Sequence, residues 1–127
     1  MPIVSMSLDE KTLRELDGLS GQLGFAGRSE ALRAGVKKLV SENRELSRLS
    51  GKMKAVLLLV HGKEAEERAT SFKHSYDDIV STQVHTDLKE GKCLEIFVLE
   101  GEAGRIKEMV GQAQTNRKID YCRLVVP

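Results

Sequence analysis

The sequence predicts an α+β chain of two small units: a strand followed by two helices, then a β-α-β-β-α-β unit. Three observations carry this. The spacing of apolar residues switches between alternation and a helical period several times along the chain. A break at Ser50-Gly51-Lys52 divides it into residues 1–50 and 51–127. Aromatics make up only 4% of the 127 residues and Trp is absent, so the core must be built from Leu, Val, Ile, Ala and Met. A unit of ~50 residues buries little surface alone and calls for a partner chain.

Residues Ile3 to Leu8 alternate, with Val4, Met6 and Leu8 on one side and Ile3, Ser5 and Ser7 on the other. This predicts a short strand. No second strand lies near it in sequence, so its backbone groups must pair with a copy of the same strand in a dimer. A first helix follows, from about Asp9 to Gln22, with Asp9 and Glu10 at its start and Ser7 and Glu10 at capping-box spacing. Leu13, Leu16, Leu19 and Leu23 form its apolar stripe. Gly24 and Gly27 mark a turn, and Ser29 is the expected N-cap of a second helix over Glu30 to Leu46.

The second unit reads as strands at Met53–Val60, Val84–Leu88, Cys93–Leu99 and Tyr121–Val126. Helices fall between, over Glu64–Thr82 and Ala103–Asn116. Glu90-Gly91-Lys92 is a hairpin turn. This order is the ferredoxin-like split βαβ.

Strand-helix-helix with a strand shared between two copies is the ribbon-helix-helix plan, whose antiparallel ribbon fits the major groove of double-stranded DNA. Ile3, Ser5 and Ser7 would face base edges. The start of the second helix, at Arg28 and Ser29, would offer backbone N–H groups to a phosphate, with Arg28 and Arg33 adding charge. The plainer alternative is that Ser5 and Ser7 form a solvated strand face. The formal net charge of +1 excludes a nonspecific nucleic-acid coater but not a specific binder.

Cys93 and Cys122 follow no signal-like segment, and the longest apolar run, Ala55–Val60, is far short of the ~20 residues of a membrane span. The expectation is a cytoplasmic protein with no membrane partner and reduced thiols. No phosphate-binding glycine loop, nucleophile elbow or CxxC pair is present, which speaks against an enzyme.

Several segments carry a resemblance. These are Leu8-Asp9, Leu16-Asp17, Leu19-Ser20, Gly24 and Arg28-Ser29-Glu30-Ala31 in the first unit, and Ile79-Val80-Ser81-Thr82-Gln83, Cys93-Leu94-Glu95-Ile96 and Val98-Leu99-Glu100-Gly101 in the second. Together they resemble the nickel-responsive regulators over nearly the whole chain. That resemblance implies a DNA-binding repressor built as a dimer of dimers, a homotetramer joined through ACT-like regulatory domains. It implies nickel held between those domains by three histidines and a cysteine. One histidine, placed after the first regulatory helix, comes from one subunit; a His-x-His strand and the cysteine come from the other.

The chain departs from this ligand set. Counted forward from Ser81-Thr82-Gln83, the first histidine falls on Val84, which cannot bind a metal. Counted back from Cys93, the His-x-His pair falls on His85 and Asp87. His85 and Asp87, two apart on a strand, share a face. With Cys93 across the hairpin they form a partial site for a divalent transition metal, with zinc or cobalt fitting about as well as nickel. His74 is a candidate fourth donor across an interface, and His61 a more remote one. Each also has a plainer reading: Cys93 as a small buried hydrophobe, Asp87 as a turn-flanking acid, and His74 and His85 as surface histidines. A regulator of the same build that senses a small organic effector, or nothing, stays open beside the metal sensor.

Overall fold

Asp9 begins the first helix. It stands in extended conformation just before α1 (Glu10–Gln22), and its carboxylate accepts the Thr12 N–H at 2.7 Å. Ser7, expected to share that role, lies two residues too early. Gly24, at φ 75°, ends the helix region in the left-handed conformation that glycine tolerates best. The second helix, α2 (Arg28–Ser47), starts before Ser29, so Ser29 sits in its first turn and is not its N-cap. Gly27 takes the cap position, its carbonyl accepting from Ala31 N–H at 3.1 Å, while Glu30 reaches back to the Ala26 N–H at 2.6 Å. Arg28 is held by Asp17 through two parallel bonds of 2.8 and 3.0 Å, which tie α2 to α1.

The structure, a computed structural model, describes residues 1–127 apart from the Glu66 side chain. It corrects the expected β-α-α order of the first unit. Residues 1–9 form no strand, and the order along the chain is α1, α2 and then the first strand, β1 (Lys52–Gly62). The physical reason is the one that made the strand need a copy of itself. A strand exists only where its N–H and C=O groups are paired, and one chain offers these residues no partner.

Two compact units are present, Met1–Leu46 and Ser47–Pro127. Within the first, only Ser20 and Ala31 are buried, while Val36 and Leu39 are each 61% exposed.

In the second unit, β1 leads through a short 3-10 turn (Lys63–Ala65) into α3 (Glu66–His74). Then come β2 (Val80–Asp87), β3 (Lys92–Glu102), α4 (Ala103–Gln114) and β4 (Ile119–Val125). The four strands form one sheet in the order β2-β3-β1-β4, with every neighbouring pair antiparallel. This is the ferredoxin-like βαββαβ arrangement. In β1 and β3 alternate residues are buried: Ala55, Leu57, Leu59 and His61 in one, Cys93, Glu95, Phe97 and Leu99 in the other. Ile106, Met109 and Val110 of α4 are buried with them.

The largest difference from the sequence expectation is α3. It stops at His74, eight residues before the expected end at Thr82, and β2 begins at Val80 instead of Val84. Ser75, Asp77 and Asp78 favour a turn, and Ile79-Val80-Ser81-Thr82 is rich in β-branched residues that pair well in a sheet. The long β3 supplies the partner: Ile79 already accepts the Glu100 N–H at 2.8 Å. The hairpin between β2 and β3 turns on Glu90 and Gly91, both with positive φ (62° and 72°), as a tight type I′ turn requires.

Candidate metal centre

Strand register brings the polar residues together. Directly opposed residues on neighbouring antiparallel strands share a face. His61 of β1 lies opposite Cys93 of β3, and Cys93 lies opposite Asp87 of β2, forming one row across three strands. The next row carries Glu95 opposite His85. The tight hairpin turn fixes this register, so Asp87 and Cys93 meet although they stand six positions apart.

His85, Asp87 and Cys93 each offer a ligand atom, and the three atoms lie within 4.8 Å of one another. His85 Nε2 is 3.6 Å from Asp87 Oδ1, and the Cys93 thiol donates to the same oxygen at 3.7 Å. Cys93 is buried; Asp87 is exposed, so the cluster opens toward solvent on its carboxylate side. Neither cysteine forms a disulfide. Cys122, half-buried on β4, has its thiol pushed up to about 11 by burial, which disfavours the thiolate a metal needs.

Behind the cluster stands a group that sequence reasoning missed. Glu95 is only 3% exposed, yet it sits among the apolar positions of β3. It accepts from His85 Nδ1 at 2.6 Å and from Gln83 Nε2 at 2.8 Å, and it faces His61 Nε2 at 3.3 Å. Burial pushes its carboxyl up, but the bonds from Gln83, His85 and His61 together hold it below its ordinary value. An ionised carboxylate only accepts, so His85 must carry its proton on Nδ1. That places the Nε2 lone pair toward Asp87 and Cys93. His61, fully buried, stands behind Glu95, with Nδ1 2.7 Å from the Gly62 carbonyl. The signal available in sequence was a carboxylate at a core position of an otherwise apolar strand.

A nitrogen, an oxygen and a sulfur converging at this spacing, with the histidine oriented by a buried carboxylate, suit a divalent transition metal. Three protein donors fall one short of a closed four-coordinate site. His74 does not join them within the chain. It ends α3, beside the start of β2, whereas Asp87 ends that strand, and eight residues of strand span ~25 Å. The residue that closes α3 is His74, and Val84 lies inside β2 opposite Ile96.

The candidate DNA-facing residues Ile3, Ser5, Ser7, Ser29 and Arg33 are all exposed, and Arg28 is engaged by Asp17.

Comparison with known proteins places this geometry in a family. Residues 55–126, which include every residue of the cluster, match the model of the NikR C-terminal nickel-binding domain. The chain belongs to that family. Relatives named as putative nickel-responsive regulators match along its length. The protein of Methanocaldococcus jannaschii is 29% identical over 99% of this chain and 92% of its own. That of Haloarcula marismortui is 28% identical over 99% of this chain and 95% of its own. A solved structure of an uncharacterized protein from Thermotoga maritima has the same fold, with a TM-score of 0.55 and 15% identity over 60% of this chain and 98% of that one. The NikR-like family is one of metal-responsive regulators rather than enzymes, and the cluster supports a divalent metal as its cofactor. No helix among the described residues is long and apolar enough to cross a membrane.

Proposed function

We propose that this chain is a transcriptional repressor that binds double-stranded operator DNA when it holds a divalent transition metal, with nickel first among the candidates. The observation that carries this reading is the convergence of His85, Asp87 and Cys93 with the buried Glu95 behind them, inside the stretch matched by the family. His85 Nε2, the Asp87 carboxylate and the Cys93 thiolate hold the metal, and His74 of a second copy supplies the fourth donor. The bound cation supplies positive charge and a cross-link between copies. Loading requires Cys93 to lose its proton, so affinity falls with acidity.

DNA binding belongs to the first unit. Its sparse burial and its exposed Val4, Met6, Leu23, Val36 and Leu39 support a second copy as cover, giving a dimer, and pairing of the second units makes a homotetramer. Ile3, Ser5 and Ser7 face bases; Ser29 and Arg33 face phosphates. Arg28 contributes by fixing α2 through Asp17 more than by direct contact.

The test is selection from a random-sequence DNA library with metal-free protein and with protein loaded by Ni(II), Co(II) or Zn(II). Enrichment of one motif by one loaded form supports the reading. Equal enrichment with and without metal overturns the metal response. A cleft of about 510 Å3 lined by Phe72, Tyr76, Arg68 and Gln112 favours a second reading, a small organic effector. DNA affinity that responds to a metabolite extract but not to metal would select it.

A further inference from the structure

The turn that follows His74 is built more firmly than its exposure would require. Arg105, near the start of α4, reaches it with almost every donor it has. Its Nε and Nη2 bind the two oxygens of Asp78, each at 3.0 Å, and Nη2 also donates to the Ser75 carbonyl at 2.6 Å. Nη1 binds Glu108 at 2.9 Å, and the guanidinium lies 4.4 Å over the Tyr76 ring. Tyr76 and Ile79 are buried, so the turn is anchored at both ends. Within it, Asp77 Oδ2 accepts from His74 Nδ1 at 3.2 Å. As at His85, Nδ1–H donates to a carboxylate and the lone pair is left on Nε2, here on a histidine whose side chain is 66% exposed.

We propose that Arg105 and Asp77 are positioning residues for the metal site: Arg105 fixes the turn that carries His74, and Asp77 sets the ring so that Nε2 is presented to a second copy. This rests on the reading of His74 as the fourth donor. An exposed ion pair adds little stability. Four polar bonds and a ring contact converging on one arginine act instead to remove freedom from the backbone beside the ligand, and that preorganisation raises affinity across an interface.

The experiment uses the full chain with the variants His74→Ala, Asp77→Ala, Asp77→Asn and Arg105→Lys, and the double variants that add His74→Ala to Asp77→Ala or Arg105→Lys. Ni(II) affinity is read by chelator competition, and the bound-ion absorption spectrum and assembly size are recorded alongside. His74→Ala should weaken binding at least ~10-fold and change the spectrum. Asp77→Ala and Arg105→Lys should each weaken it by ~10-fold, the scale of lost outer-shell support. Asp77→Asn should recover most of the loss, because an amide oxygen still accepts from Nδ1. Neither positioning change should matter once His74 is gone. In the metal-free protein, 15N shifts of His74 should move from the Nδ1–H tautomer toward the mixture of a free ring in Asp77→Ala.

If His74→Ala weakens binding while Asp77→Ala and Arg105→Lys stay within twofold of the parent, the positioning role is overturned and the ligand role stands. Losses that persist fully in the His74→Ala background overturn the positioning role in the same way. If His74→Ala itself changes nothing, the fourth-donor reading falls, and the positioning role with it.

Discussion

Replacing Glu95 by Gln is the sharpest perturbation of the cluster, because it keeps the shape and removes only the acceptor chemistry. In the native protein three donors converge on two carboxylate oxygens, with Gln83 on one and His85 and His61 on the other. A glutamine has one oxygen and one NH2. If its oxygen serves the histidines, its NH2 meets the Gln83 amide at 2.8 Å, donor against donor. A reoriented amide meets His85 and His61 with the same conflict. The half-buried Gln83 relieves the conflict by turning its own amide so that its oxygen accepts, and what is lost is the charge assistance of the bonds, about 1 kcal/mol. The charge that favours the Nδ1–H form of His85 is lost as well, so Nε2 becomes a weaker and less oriented ligand. Outer-shell losses of this kind cost about 10–100-fold in metal affinity, or ~1.4–2.7 kcal/mol. Urea unfolding and chelator competition measure the two effects separately. Metal affinity within twofold of the parent, in a folded variant, would refute the claim that Glu95 orients the ligand.

Other expectations are simpler. Cys93→Ala should lower metal affinity by at least ~10-fold, read in the same competition assay, and unchanged affinity removes Cys93 from the ligand set. Phe97→Ala, at a fully buried position, should destabilise the second unit by about 3–5 kcal/mol in urea unfolding. Cys122, with its thiol near 11, should be only ~0.03% thiolate at pH 7.5, so alkylation should be slow there and accelerate roughly tenfold per pH unit up to about pH 10. Asp9, Asp17 and Asp78 are each held below the ordinary carboxylate range by hydrogen bonds, chiefly from Thr12, Arg28 and Arg105. Their contribution is full above the unfolded-state value and is lost as pH falls through the lower folded value, so stability should drop on the acid side of about pH 4. Asn at all three positions should flatten that limb.

The second unit was legible in sequence because its signals are local. The short apolar runs Ala55–Val60 and Cys93–Leu99 mark two buried strands, and Glu90-Gly91 marks the hairpin turn that leads into the second of them. What could not be read was decided at a distance. The helical spacing of Phe72, Tyr76 and Ile79 continues past the real end of α3, and only the length of β3 shows that Val80–Gln83 is needed as an edge strand. The helix end bears on the site as well: a helix ending at Thr82 brings Val84 next, and one ending at His74 closes on a histidine. His85, Asp87 and Cys93 were picked out by counting back from Cys93 along the family pattern, and they lie together because they share one hairpin. Glu95 was passed over because its partners, Gln83 and His61, reach it only through the sheet. The segment Ile3–Leu8 shows the opposite failure. Alternation is a property of the residues, but a strand needs a paired neighbour, and residues 1–9 form none.

The tight hairpin also bears on how the protein is made. All three clustered donors lie within residues 85–93, so bringing them together requires closing one short loop, an event of microseconds or less that precedes the long-range pairing of β1 with β3 and β4. An emerging or unfolded chain therefore keeps some grip on the ion. Metal bound to the unfolded state subtracts from the stabilisation that native binding provides, so the rise in melting temperature on loading should be smaller than the native affinity alone implies.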